Sequence, residues 1–85
     1  MTDSKNTRVA IIGIIVENHD SVDRLNAVIH EYAEFVIGRM GIPYRARNIS
    51  IISLAVDAPP EVISAFSGKL GRLKGVAVKT VYSSV

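Results

Sequence analysis

Residues 8–16 read RVAIIGIIV, and residues 49–56 read ISIISLAV. Both are continuous apolar runs dominated by β-branched Ile and Val, which favour a pleated strand over a helix. Successive side chains on a strand point to opposite faces. The first run therefore puts Val9, Ile11, Gly13 and Ile15 on one side and Ala10, Ile12, Ile14 and Val16 on the other. The second run is also two-sided, with Ile49 and Ile51 opposing Ile52, Leu54 and Val56. Two strands that are apolar on both faces belong at the centre of a sheet.

The segments between and after these runs supply the remaining elements. Asn18, His19 and Asp20 follow the first strand as turn residues, with Asp20 as a helix N-cap and Asp23 three positions on. Val22, Leu25, Val28, Ile29 and Tyr32 then recur at three- and four-residue spacing, predicting an amphipathic helix to Ala33. FVIGRMGIPY over 35–44 is strand-like at its ends, but Gly38, Gly41 and Pro43 suit only an edge strand or a bulge. Pro59 and Pro60 fit the start of a second helix with a buried stripe of Val62, Ile63, Phe66 and Leu70, stopped at Gly71. Val76 to Tyr82 alternates as a last strand. The order is βαββαβ, an α+β ferredoxin-like sandwich with a four-stranded antiparallel sheet and two helices on one face. The sandwich occupies residues 8–85, after a flexible tail over 1–7.

Composition narrows the function classes. The 85 residues are 48% hydrophobic and only 6% aromatic, so the core is aliphatic and disorder is excluded. With no Cys, the chain can form neither a disulfide framework nor a thiolate metal site nor a thiol nucleophile. No apolar run reaches the length of a membrane helix, and the first residues, MTDSKNT, lack the apolar core of a signal peptide. A cytoplasmic protein without a membrane partner is expected. P-loop, dinucleotide-binding, nucleophile-elbow and HExxH signatures are all missing, so no enzymatic activity and no cofactor are predicted.

Two helices can cover only one face of a four-stranded sheet, yet both central strands are apolar on both sides. The uncovered face would be a larger aliphatic patch than soluble monomers usually expose. A homo-oligomer, dimer or tetramer, is therefore expected to bury the open face, an edge strand, or both. Ile12, Ile14, Ile52, Leu54 and Val78 are the candidate interface residues.

Charge is uneven along the chain. Residues 1–34 carry three basic against six acidic side chains, and residues 35–85 carry seven against two. Arg39, Arg45, Arg47, Arg72 and Lys74 could in principle meet nucleic acid, but they form no basic run and no aromatic residues interleave with them. That pattern argues against direct nucleic-acid binding. Among candidate ligating groups, His30 and Glu34 lie four apart on one side of the expected first helix, opposite its apolar stripe. Filling a coordination sphere there would need water or a second subunit. The loop Asn18, His19, Asp20, Ser21 sits at a helix N-terminus, where free N–H groups and the helix dipole favour an anion. An alternative reading makes His19 or His30 a general base oriented by Asp20 or Asp23.

RVAIIGIIVEN, VIGRMGIPYR, ISIISLAVDAP and SGKLGRLKGVAVKT together resemble the small regulators of the iron-only hydrogenase system. That family is similar in fold to the ACT domain and to the C-terminal domain of the nickel-responsive repressor. The resemblance spans residues 8–85 and implies a non-enzymatic, oligomeric regulatory or ligand-sensing domain tied to hydrogenase. It also implies a small-molecule ligand or partner protein, with a small ligand sought near the loop after the first strand, at Asn18, His19, Asp20 and Ser21. The repressor's His and Cys nickel chemistry does not transfer to a chain without Cys. Its ribbon-helix-helix DNA-binding segment has no counterpart in the seven residues, Met1 to Thr7, before the first strand.

Overall fold

The structure, a computed structural model, describes residues 6–84. Most of the tail expected over 1–7, residues 1–5, lies outside the described residues. The chain order is β1 (Arg8–Val16), α1 (Val22–Glu31), β2 (Val36–Tyr44), β3 (Ile49–Ala58), α2 (Pro60–Gly71) and β4 (Val76–Tyr82). Short 3-10 turns at His19–Ser21, Ala33–Phe35 and Arg45–Arg47 connect them. All strand pairs are antiparallel, in the order β2-β3-β1-β4. The two uninterrupted aliphatic runs are thus the central strands, because only they have apolar partners to meet on both faces.

β2 is an edge strand, as its glycines and Pro43 require. Its pairing with β3 slips between Val36 and Gly38, and Pro43 sits opposite Ser50. Pro has no N–H to give a ladder, so the edge is where it does least harm. α1 is shorter than its periodicity predicts. It ends at Glu31, and Tyr32 turns the chain into the following 3-10 segment.

Both helices lie on the same side of the sheet, as that predicted sandwich requires. Between them and the sheet Ala10, Ile12, Ile14 and Val16 of β1 pack with Ile52, Leu54, Val56 and Ala58 of β3. Leu25 and Ile29 of α1 and Ile63, Phe66 and Leu70 of α2 close this core from above. Tyr32 stacks on Phe66 with ring centroids 4.4 Å apart, joining the two helices. At their rim Lys69 reaches Glu31 at 2.8 Å, and this bond, together with Tyr32, raises the amine's pKa above its usual value.

One expectation is corrected here. Ile12, Ile14, Ile52 and Leu54 are buried beneath the helices, and Val78, which pairs with Ile14, points the same way. These residues are core of the single chain and are not available to a second one. The opposite face is the open one, and it carries Val9, Ile11, Gly13 and Ile15 of β1 and Ile51, Ser53 and Ala55 of β3. Ala77, Lys79 and Val81 of β4 complete it on one side, with Met40, Ile42 and Tyr44 of β2 on the other. Ile11 is 50% exposed, whereas its neighbour Ile12 is 0% exposed. Sequence alternation separates the two sets of residues but cannot say which set the helices cover, because both are aliphatic.

Leu54→Ala should lower the stability of the folded subunit by about 2–5 kcal/mol, the range for truncating a fully buried Leu. Urea denaturation of the variant measures it. A residue that served only an interface between copies would instead leave the subunit's own stability unchanged.

Candidate functional site

β1, β3 and β4 place three connections at one end of the sheet. Val16 ends β1 opposite Ser50 near the start of β3 and opposite Val76 at the start of β4. The loop after β1, the β2–β3 turn and the α2–β4 turn therefore meet there. Hydrogen bonds clasp them together. Glu17 N–H donates to the Gly75 carbonyl at 2.7 Å, and the Ser21 hydroxyl donates to the Lys74 carbonyl at 2.6 Å. His19 Nε2 lies 3.1 Å from Asn48 Oδ1. Asn48 itself adopts the left-handed conformation, with φ 53°, that closes the Arg45–Arg47 turn.

The four residues predicted as a ligand loop divide by role. Asn18 Oδ1 accepts a bond from the Asp20 N–H at 2.9 Å, so Asn18, and not Asp20, caps the turn that leads into α1. Ser21 is buried and its hydroxyl is held by Lys74. These two side chains build the loop. His19 and Asp20 are exposed. Asp20, with Asn18 and Ser21, lines a cleft of about 410 Å3 whose other wall is Arg24, Arg72, Leu73 and Lys74. Three cations and one carboxylate thus line the cleft. Next to Lys74 and against Asn18 lies Gly75, which has φ 70°, a value L side chains rarely adopt. A Cβ there would stand 2.5 Å from Asn18 Cβ.

Arg24, Arg72 and Lys74 were not legible as partners of residues 18–21 from spacing. They come from the first turn of α1 and from a turn some fifty residues downstream, and only the β1–β4 pairing brings them together. Arg45 and Arg47 lie at this same end, in the turn clasped by His19. Asp57 and Glu34 lie toward the other end, beside Pro59. Arg24, Arg45, Arg47, Arg72 and Lys74 thus share one end of the domain with Glu17, Asp20 and Asp23.

His30 and Glu34 are not brought together. Because α1 stops at Glu31, Glu34 falls in the next turn and no longer shares a helix face with His30. His30 lines a cleft with Asn26, Ile29, Ala33, Val36 and Arg39, whose guanidinium disfavours a cation there. Glu34 lines a different one with Phe35 and Asp57. Among the described residues, no group of three or more His, Asp or Glu is placed to hold a metal ion. His19, the other candidate base, has the amide of Asn48 as its side-chain partner in place of an orienting carboxylate.

Fold and cleft define a small ferredoxin-like domain with a polar cleft at one end. The chain belongs to the TM1266-like family, described as "Iron-only hydrogenase system regulator, putative", whose model matches residues 8–80. Among solved structures it is similar to the uncharacterized protein TM1266 from Thermotoga maritima. The two share 36% identity over 89% of this chain and 96% of that one, with a TM-score of 0.86. It also resembles in fold part of a formyltetrahydrofolate deformylase from Pseudomonas putida KT2440. That match has 13% identity and a TM-score of 0.60, and covers 86% of this chain and 28% of that one. No curated protein matches it. No helix among the described residues is long and apolar enough to cross a membrane.

Gly75→Ala should destabilise the domain by about 1–3 kcal/mol, the scale of a non-glycine residue held in a sparsely populated backbone region. Chemical denaturation measures it. The contact with Asn18 should also perturb the amide resonances of residues 17–21 in a heteronuclear NMR spectrum.

Proposed function

We propose that this chain is a non-enzymatic, ligand-sensing regulatory domain of the iron-only hydrogenase system that works as a homo-oligomer in the cytoplasm. The cleft at the loop after β1 carries this reading. A concave, polar site is walled by Arg24, Arg72 and Lys74, and no ion pair joins these three to Asp20 across it. Such a wall suits a small anion, a carboxylate or a phosphate, because each charged donor bonds an anionic oxygen roughly twice as strongly as a neutral one. The N-terminus of α1 beneath the loop adds the positive end of its dipole. Signalling then needs no chemistry. A ligand that binds one arrangement of subunits better than another shifts their populations by its differential affinity.

A thermal-shift series with amino acids, nucleotides and divalent metals tests the reading. A ligand at one hundred times its Kd stabilises the domain by about 2.7 kcal/mol. For a domain of this size that corresponds to a rise in Tm on the order of 10 °C or more. Anionic compounds should produce the rise, and Arg72→Ala combined with Lys74→Ala should abolish it. His19→Ala tests whether the imidazole contributes. Asn18 and Ser21 are unsuitable probes, since both hold the backbone of the loop. Failure of every compound to raise Tm would count against a ligand sensor.

The cleft's end of the domain also bears on direct nucleic-acid binding. Five cations, Arg24, Arg45, Arg47, Arg72 and Lys74, come from three connections and share one end of the domain. Nucleic-acid affinity there would fall steeply with salt and disappear on charge reversal of Arg45 and Arg47. If a duplex or single strand fails to bind at low salt, the small-anion reading is left alone.

A further inference from the structure

The open face of the sheet is not flat. At its centre lies a hollow of about 380 Å3, formed around Gly13, Ser53 and Ala77 and rimmed by Ile15, Ile51 and Lys79. Gly13 makes this hollow. It sits mid-strand in β1, between Ser53 of β3 and Lys79 of β4. Its φ is not positive, and a Cβ built there meets only the Lys79 carbonyl oxygen, at an ordinary 3.7 Å. Neither backbone conformation nor packing within the chain therefore requires glycine. Glycine inside a strand weakens it, and such a position often marks close approach by another group.

We infer that two copies of this chain pack open sheet face to open sheet face, with an isoleucine of each seated in the hollow over Gly13 of the other. The inference rests on the oligomeric part of the function proposed above and names its surface. Three observations favour a second copy as the occupant. First, the apolar surface extends well beyond the hollow, through Val9, Ile11, Ile42, Met40 and Val81. A small apolar ligand would fill the hollow and leave that surround in water, whereas a second sheet covers both. Second, the area suffices. Four strands about 4.8 Å apart and roughly eight residues long outline a footprint of roughly 500 Å2. Two copies then remove roughly 1,000 Å2, the threshold for a specific interface, and corrugation by side chains adds to it. Third, charge does not oppose the contact. Among the described residues, the charged side chains on the face are Lys79 and Asp57, which are opposite in sign and flank β1 on different sides, four residues apart along it. A two-fold interface is self-complementary, so each copy offers both the ridge and the hollow.

The decisive variant is Gly13→Val. A β-branched side chain fits the strand and suits it better than glycine, so the subunit should be as stable as wild type or more so in denaturation. The same side chain fills the hollow from within. Light scattering after size exclusion should find wild type as a dimer, or a multiple of one, at micromolar concentration. Gly13→Val should weaken that association tenfold or more. Ile11→Lys, at a half-exposed position outside the core, should do the same with circular dichroism unchanged. If wild type assembles and both variants assemble equally well, the interface lies elsewhere. The inference then falls, while the oligomeric regulator stands. A monomeric wild type overturns both the interface and the oligomer, and the thermal-shift response to anions still decides the ligand reading separately.

Discussion

Everything in this domain depends on the alternation of aliphatic side chains along β1 and its pairing with β3. Ile12 and Ile14 look up into two helices, and Ile11 and Ile15 look down from the same strand. The upper set packs against Leu25, Ile29, Ile63, Phe66 and Leu70, and this one layer holds helices and sheet together. A four-stranded sheet with two helices has no material for a second layer. The lower set is chemically equal to the upper and, among the described residues, no helix covers it.

That same pairing builds the polar end. Strands of matched length bring the loop after β1, the β2–β3 turn and the α2–β4 turn to one place, and the rigid ladder fixes their separation. Ser21, Asn18 and Gly75 spend their hydrogen-bonding and conformational capacity on holding these connections. The cations Arg24, Arg72 and Lys74 are left to line the cleft. β1 carries the open face along its length and leads from its end into the loop of residues 17–21. The cleft and the open face thus share one strand.

Much of this was legible without coordinates. The βαββαβ order, the central placement of RVAIIGIIV and ISIISLAV and the edge character of the Gly- and Pro-broken strand follow from hydrophobic periodicity and the missing N–H of Pro43. The surplus of apolar surface also followed, by counting helices against faces. Ile12, Ile14, Ile52, Leu54 and Val78 were expected on the open face because alternation is symmetric. His30 and Glu34 were expected on one helix face because side-chain spacing alone cannot see that α1 ends at Glu31. Asp20 was expected as the cap because Asn18 and Asp20 are equally good oxygen acceptors, and only the backbone path selects Asn18.

The sequence by itself determined the architecture, because strand and helix periods are local and each segment carries its own. It also determined that the chain has more aliphatic surface than it can cover. Only the tertiary structure decided which face the helices take, since that choice rests on the handedness and length of connections summed over the whole chain. It likewise decided which distant residues share a site. Arg24 and Lys74 are fifty positions apart along the chain and become neighbours only because β1 and β4 lie side by side.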